Sequence, residues 1–231
     1  MSEQQKFFST QDGTSLFYRY RPAADGSSDK AIVLFHRGHE HSGRMMFIAD
    51  ELGFDDFAYF AWDARGHGHS PGERGDSPSI GTSVADVDDF IRHIQSEYGI
   101  KPENICVIAQ SVGAVLVSTW LHDYAPKIRC AVLASPAFKV KLYVPFARTG
   151  LKMMQKWRGN FFVNSYVKAH YLTHNVERQK SYDNDPLIAR AISVRILLGL
   201  YEAAERVVTD AQAITTPVQL LISGSDWVVH H

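Results

Sequence analysis

The sequence predicts an α/β fold with a doubly wound, mostly parallel sheet. Short apolar runs alternate with amphipathic helical segments over most of the chain, and the runs at 31–35, 105–109 and 130–134 are apolar throughout. Continuous apolar runs are typical of strands that are buried on both faces, as in parallel sheets. Strands and helices that alternate in this way favour crossover connections into one sheet.

Each element follows from its local pattern. The predicted strands are, in chain order, 7–10, 16–21, 31–35, 57–62, 105–109, 130–134 and 218–222. The predicted helices, judged from helical spacing of their apolar residues, are 42–52, 82–98, 112–123 and 186–211. From Ala137 to about Asp185 the alternation stops. We interpret this aromatic, basic and partly helical segment, 137–185, as a cap inserted into a single domain that spans 1–231.

The bulk composition is that of an ordinary globular protein, with 45% apolar and 21% charged residues. The formal net charge of -1 gives no reason to expect a nucleic-acid partner. No apolar run is long enough to cross a bilayer, and the polar N-terminus does not look like a signal peptide. Cys106 and Cys130 lie in predicted central strands, where free cysteine acts as a small apolar residue. These features favour a cytoplasmic protein.

Charge is unevenly distributed, because no Asp or Glu occurs from Tyr124 to Val176. In this stretch Arg148, Lys152 and Lys156 recur at every fourth position, which predicts a basic amphipathic helix suited to an anionic membrane surface. A solvated helix face is the alternative. Large apolar and aromatic residues of the segment are expected to line an acyl pocket or to form the core of the cap. They are Phe138, Leu142, Tyr143, Phe146, Leu151, Met154, Trp157, Phe161, Phe162, Tyr166 and Tyr171.

The most informative segment is 105–114, where a buried apolar run stops at Ser111 and a helix of small residues begins at once. This is the pattern of a nucleophile elbow, a sharp strand-to-helix turn that exposes a serine hydroxyl above a parallel sheet. The usual motif is Gly-x-Ser-x-Gly, and here Ala109 stands at the first glycine position. A serine that merely caps the helix is the alternative.

Three more motifs follow predicted strands: HRGHEHSGR at 36–44, DARGHGHSPG at 63–72 and SGSDWVV at 223–229. With Ser111 they stand in the order and at the strand ends found in the α/β-hydrolase superfamily, which the chain resembles over essentially its whole length. More narrowly, it is similar to the monoacylglycerol lipase, lysophospholipase and serine aminopeptidase-like group. It is also similar to the hydrolase half of bacterial chains that join a hydrolase to a methyltransferase.

The resemblance implies a serine hydrolase that cleaves carboxylic esters of lipid type, such as monoacylglycerols or lysophospholipids. Ser111 would be the nucleophile that forms an acyl-enzyme, and Asp226 would orient the catalytic histidine. The backbone amides of Val112 and Gly38 would bind the oxyanion. Arg37 stands where the family has a glycine. We expect no cofactor and no metal, because the hydrolase motifs account for the histidines of the front loops.

The catalytic histidine is the open question. In this fold it follows the acid, normally after a helix and a further strand, but only five residues follow Asp226. We therefore expect the chain as given to lack its general base and the last strand of its sheet, as a truncated natural sequence would. The alternative is a non-catalytic hydrolase-fold module that serves binding or assembly in a longer polypeptide.

Overall fold

The computed structural model describes residues 2–26, 28–141, 146–165 and 167–230. The strands are β1 Gln4–Ser9, β2 Ser15–Arg21, β3 Ala31–Phe35, β4 Ala58–Trp62, β5 Ile105–Gln110, β6 Cys130–Ala134, β7 Phe162–Asn164, β8 Ala191–Ser193 and β9 Val218–Leu221. Within the described residues, seven of them form one sheet in the order β1-β2-β4-β3-β5-β6-β9. β1 pairs antiparallel with β2 and β2 with β4, whereas all later neighbours are parallel. The prediction of a doubly wound, mostly parallel sheet is confirmed.

The helices are α1 Phe47–Leu52, α2 Ile80–Tyr98, α3 Val112–Tyr124, α4 Ala147–Arg158, α5 Ala169–Leu172, α6 Val176–Asp183 and α7 Val194–Thr209. Short 3-10 turns lie at 42–44, 102–104 and 211–213. Of these helices, none in the described ranges is long and apolar enough to span a bilayer.

The predicted helix 186–211 is shorter in the structure, because residues 191–193 pair antiparallel with β7. α7 begins only after Ser193, whose hydroxyl accepts a hydrogen bond from the amide of Ile196 at 3.2 Å. The same hydroxyl donates to the carboxylate of Asp76, which also pairs with Arg195. The start of α7 is thus held on the loop that follows β4.

Side chains of the central strands pack on both faces of the sheet. Ala31, Val33 and Phe35 of β3 belong to a cluster with α2 and α3, whereas Ile32 and Leu34 pack with the residues around α1. This alternation is the reason that β3 is buried over its whole length. Cys106 and Cys130 face each other on β5 and β6 as free thiols, with 3.5 Å between their sulfur atoms.

The approach of α3 to β3 is close enough to exclude any side chain at Gly113. A Cβ atom at this position would lie 2.4 Å from the carbonyl oxygen of His36 and 2.9 Å from that of Phe35. The first turn of α3 therefore rests directly on the backbone at the end of β3. The contact sets Ser111, which precedes α3, at the carboxyl edge of the parallel strands, where open α/β sheets bind ligands.

The strand β9 forms an exposed edge of the sheet. Among the described strands it pairs only with β6, and all four of its residues are exposed. Leu220 and Leu221 are 52% and 48% exposed, and the following Ile222 is 50% exposed. Unpaired edges that carry apolar side chains can pair with another chain.

We predict that Gly113→Ala lowers the free energy of unfolding by about 1–3 kcal/mol, because the added methyl group meets fixed backbone carbonyls. Gly150→Ala is the matched control. Gly150 also lies in a helix, but nothing stands within 4 Å of the added methyl group, so this change should stabilise α4 by about 0.5–1 kcal/mol. Urea unfolding measures both variants, and equal effects would contradict the close approach of α3 and β3.

We also predict that the 231-residue chain self-associates through β9 and that Leu220→Lys reduces this association, since a lysine on an edge strand opposes pairing with another chain. The control is Phe7→Lys on β1, the opposite edge, where Phe7 is 57% exposed. Light scattering after size-exclusion chromatography gives the mass. A chain that stays monomeric at high concentration, or that loses association only with Phe7→Lys, would refute the prediction.

Candidate active site

Ser111 occupies a sharp turn between β5 and α3. Its backbone has φ 54° and ψ −113°, a conformation with positive φ that costs a residue with a side chain on the order of 1–3 kcal/mol. The turn is held by its neighbours. The Ser111 amide donates to the carbonyl of Ala134 at 3.0 Å, and the Ser111 carbonyl accepts from the amides of Val115 and Ala137, both at 3.2 Å. This geometry is that of the elbow predicted from the sequence.

The two residues whose amides are predicted to bind an oxyanion, Gly38 and Val112, lie against each other. A Cβ atom at Gly38 would stand 2.9 Å from Cγ2 of Val112, so the loop after β3 lies against the first residue of α3. Neither amide donates a hydrogen bond within the part of the chain that the structure describes. Val112 is also the first residue of α3, where the helix dipole favours negative charge. Both N–H groups can therefore serve an anionic oxygen.

Asp226 lies in the loop after β9, and its position is fixed by its own backbone. Its Oδ1 atom accepts hydrogen bonds from the amides of Val228 and Val229, at 2.7 and 2.9 Å. The amide of Lys141 in turn donates to the carbonyl of Val228 at 2.8 Å, which anchors the loop to the chain after β6. Oδ2 of Asp226 accepts no hydrogen bond from a described residue, so one carboxylate oxygen can orient an imidazole.

All four predicted site residues line one cavity of about 610 Å³. They are Ser111, Val112, Gly38 and Asp226. Asp226 is the only carboxylate among the described residues that line it, and Arg37, His39, His170 and His174 are also in its wall. Its apolar wall comes from the chain after β6 and from α4, β7 and α7. The sequence did not single out His170 or His174, since neither lies in a recognisable motif.

Most histidines of the front loops are structural. Nε2 of His36 accepts from the amide of Ala64 at 3.0 Å, so Nδ1 carries the proton and donates to the carbonyl of Arg37 at 2.8 Å. Burial lowers the pKa of His36, which keeps the ring neutral. His41 bridges loops instead, since its Nε2 lies 3.0 Å from Oδ2 of Asp185.

His39 differs from these neighbours because it lines the Ser111 cavity. Burial, with a smaller contribution from His67, lowers the pKa of His39 to about 4. Its Nδ1 atom is buried without a hydrogen-bond partner in the described chain. None of the described histidines is hydrogen-bonded to Ser111 or Asp226. The cavity thus brings together the serine, the aspartate and the two backbone amides predicted from the sequence, and no described histidine is hydrogen-bonded to either side chain.

The residues expected to line an acyl pocket divide into several groups. Leu151 and Tyr171 line the Ser111 cavity, while Phe138 and Phe161 pack in adjoining apolar clusters. Phe162 lies on β7 and is half-buried. On the surface are Phe146, Met154 and Trp157, with exposures of 87%, 47% and 90%. Leu142, Tyr143 and Tyr166 lie outside the described residues.

The basic face predicted on α4 is largely paired with acidic residues. Arg148 forms an ion pair with Glu205 of α7, and Lys152 lies 2.8 Å from Glu202 of the same helix. The charge of these two residues therefore joins α4 to α7 rather than facing outward. Lys156 forms no ion pair with a described residue.

Among the described residues, no three His, Cys, Asp or Glu side chains are grouped closely enough to hold a metal ion. Of the histidines of the front loops, His36 and His67 are hydrogen-bonded to the backbone and His41 to Asp185.

Comparison with known proteins agrees with this geometry. A family model described as serine aminopeptidase, S33, matches residues 26–231. The uncharacterized protein YnbC of Escherichia coli (strain K12) is 62% identical over 224 residues, which are 97% of this chain and 38% of YnbC. Monoglyceride lipase of Mus musculus is 30% identical over 221 residues, 93% of this chain and 71% of the lipase.

A solved structure extends the likeness to three dimensions. The crystal structure of Paleococcus ferrophilus monoacylglycerol lipase superimposes with a TM-score of 0.74 at 27% identity, and covers 96% of this chain and 77% of the lipase. The resemblance seen in the sequence motifs is thus confirmed at the level of the family. The chain belongs to the serine aminopeptidase S33 family of α/β-hydrolases, related to the monoglyceride lipases.

Proposed function

We propose that the protein hydrolyses carboxylic esters of lipid type through an acyl-enzyme on Ser111. The observation that carries this proposal is the single cavity in which Ser111, the Gly38 and Val112 amides and Asp226 all meet an apolar wall. An apolar cavity with a few convergent polar groups is typical of a site for a small apolar substrate. The names of the related monoglyceride lipases support the same substrate class.

In the proposed reaction, the hydroxyl oxygen of Ser111 attacks the ester carbonyl carbon and loses its proton to a general base. The carbonyl oxygen becomes an oxyanion that accepts from the Gly38 and Val112 amides. The bond from carbon to the alcohol oxygen then breaks, and the alcohol leaves with the proton. Water attacks the acyl-serine in the second half of the reaction, which releases the fatty acid and restores Ser111.

The base in this proposal is a histidine oriented by Asp226, which in this fold follows the acid along the chain. The chain spans 38% of YnbC and about 71% of the mouse lipase, so the activity of the whole protein is a proposal here. Within the described residues, the absence of a histidine on Asp226 favours a second candidate function, a non-catalytic hydrolase-fold module in a longer polypeptide. A cytoplasmic location remains a prediction.

We further propose that the segment 137–185 acts as a cap that contacts membranes through α4. Met153 and Trp157 lie one turn apart on this helix, and Phe146 directly precedes it. Their side chains are 69%, 90% and 87% exposed. Lys156 and Arg158 lie next to Trp157. Exposed aromatic residues beside basic ones are typical of helices that lie in the interface of an anionic bilayer.

For the nucleophile, we use the term full-length protein for the chain extended through the histidine expected after Asp226. We predict that this protein reacts with a fluorophosphonate probe and hydrolyses medium-chain esters, and that Ser111→Ala abolishes both. The reason is that the elbow holds the only proposed nucleophile beside the oxyanion donors. Ser135, which lines the same cavity, provides the control variant Ser135→Ala. Labelling that survives Ser111→Ala would exclude the proposed role, and absence of labelling in the native protein would favour the non-catalytic module.

For the base, we predict that the 231-residue chain hydrolyses esters at least about 10³-fold more slowly than the full-length protein, because loss of one triad member leaves only oxyanion stabilisation and binding. The measurement is kcat/KM for a short-chain nitrophenyl ester with both lengths. Equal rates would mean that the base lies within this chain. His39, His170 and His174 would then be replaced by Gln in turn.

For the membrane contact, we predict that Trp157→Ala weakens binding to anionic vesicles about tenfold, since burial of a large aromatic side chain contributes roughly 1.5–3 kcal/mol. Arg148→Gln is the comparison, because Arg148 is paired with Glu205 and should contribute little. Vesicle sedimentation gives the partition coefficient of each variant. Stronger dependence on Arg148 than on Trp157 would contradict this arrangement.

A further inference from the structure

A second cavity, of about 400 Å³, adjoins the Ser111 cavity. Asn164, Ser165, Val167 and His170 line both. The end of β7 and the chain that leads into α5 therefore form a wall between the two spaces. A ligand long enough to occupy both cavities would pass these four residues.

The two cavities differ in polarity. On the α4 and α7 side, the Ser111 cavity is lined by Leu151, Leu197 and Leu200. The second cavity instead carries the charged side chains of Lys168, Asp183 and Arg190, besides polar Asn164 and Ser165. The pair of cavities thus suits a molecule with an apolar chain at one end and a polar group at the other.

Positive charge dominates the second cavity. Lys168 is exposed and forms no ion pair within the described ranges. Arg190 is held by backbone carbonyls, since its Nη2 donates to Asp183 O at 2.8 Å and to Tyr182 O at 3.3 Å. The carboxylate of Asp183 stands 3.9 Å from Arg190 Nη1, beyond hydrogen-bond distance. The second cavity is therefore lined by two cations, Lys168 and Arg190, and by one carboxylate, that of Asp183, which is not hydrogen-bonded to Arg190.

A third cation, Arg37 in the loop after β3, lies near the same tyrosine ring as Arg190. The guanidinium carbons of Arg37 and Arg190 lie 6.0 and 5.3 Å from the ring centre of buried Tyr182. Arg37 lines the Ser111 cavity, and its charge is partly offset by Glu40 at 2.6 Å. Its Nε atom is nevertheless buried with no partner in the described chain. A buried donor left in this state costs free energy unless a ligand accepts from it.

We propose that the second cavity binds the phosphate group of a lipid ester, so that lysophospholipids are preferred over neutral monoacylglycerols. The inference rests on the proposed function, because it places the acyl ester at Ser111. Lys168 and Arg190, which line the second cavity, are then specificity-determining residues that hold the phosphate, and Arg37 adds positive charge from the wall of the Ser111 cavity. The phosphate takes no part in bond breaking, since the bond that is cleaved joins the acyl carbon to the glycerol oxygen.

The test measures binding with ether analogues that cannot be hydrolysed, by calorimetry on the full-length protein below the aggregation threshold of the lipids. A decyl glycerol ether that carries a phosphate should bind about tenfold more tightly than the same ether without it, as expected for hydrogen bonds to a charged group near solvent. Lys168→Gln and Arg190→Gln should each reduce this ratio, and added salt should reduce it in the native protein. Lys152→Gln, which removes a lysine outside both cavities, should leave it unchanged.

Equal binding of the two ethers overturns the inference, and so does a preference that persists in both Lys168→Gln and Arg190→Gln. The side chain of Lys168 makes no hydrogen bond or ion pair to a described residue, so its variant is expected to fold, and thermal unfolding checks this for each variant. Glycerol phosphate without an alkyl chain is the third probe, and binding as tight as that of the alkyl form overturns a lipid substrate.

Hydrolysis of the matched esters is measured separately. Failure to cleave either one contradicts the proposed function, while the binding ratio still decides the phosphate site.

Discussion

The direct contact of α3 with the end of β3 is the constraint on which the candidate site depends. Because Gly113 has no side chain, the helix rests on the carbonyls of Phe35 and His36. This approach brings Val112 against Gly38, and it forces Ser111 into a backbone conformation that few residues adopt. The unfavourable turn is offset by hydrogen bonds to Ala134 and Ala137, which extend the same arrangement to the end of β6.

A second network holds the loops that surround this contact. The buried carboxylate of Asp63 accepts from the amides of Ser42 and His69, at 2.6 and 2.8 Å, and so joins the loops after β3 and β4. Gly68 is required there, since a Cβ atom would lie 2.0 Å from Oδ2 of Asp63. His36 ties the same loops through the amide of Ala64. Histidines that look catalytic in a sequence motif thus shape the backbone that a substrate would meet.

The sequence predicted the sheet well because local pattern and tertiary environment agree there. β3 and β6 begin and end where the apolar runs do, since the residues of β3 are all buried between two layers and those of β6 are buried or half-buried. The helix expected over 186–211 is shorter because residues 191–193 pair with a strand some thirty positions earlier, and helical spacing carries no information on that partner. The same reason explains why the pairing of Arg148 and Lys152 with α7 could not be foreseen.

The candidate site was predictable only as far as its motifs extend. Ser111, Val112, Gly38 and Asp226 each lie in a motif at a strand end, and they do line one cavity. Other features of the site depend on side chains that are distant in sequence. These are the Nε atom of Arg37 without a partner, the carboxylate oxygen of Asp226 that accepts no hydrogen bond, and the second cavity. His41 and Asp185, for example, are 144 residues apart when they meet.

The two ends of the cavity wall are attached to the rest of the molecule in different ways. β8 and the start of α7 are fixed to the loop after β4 through buried Ser193 and Asp76. The helix α4 is joined to α7 by apolar packing of Leu151 and by two surface ion pairs, of a kind that contributes about 0–1 kcal/mol each. Of the two attachments, that of α4 is therefore the more open to screening by salt, because its ion pairs lie at the surface.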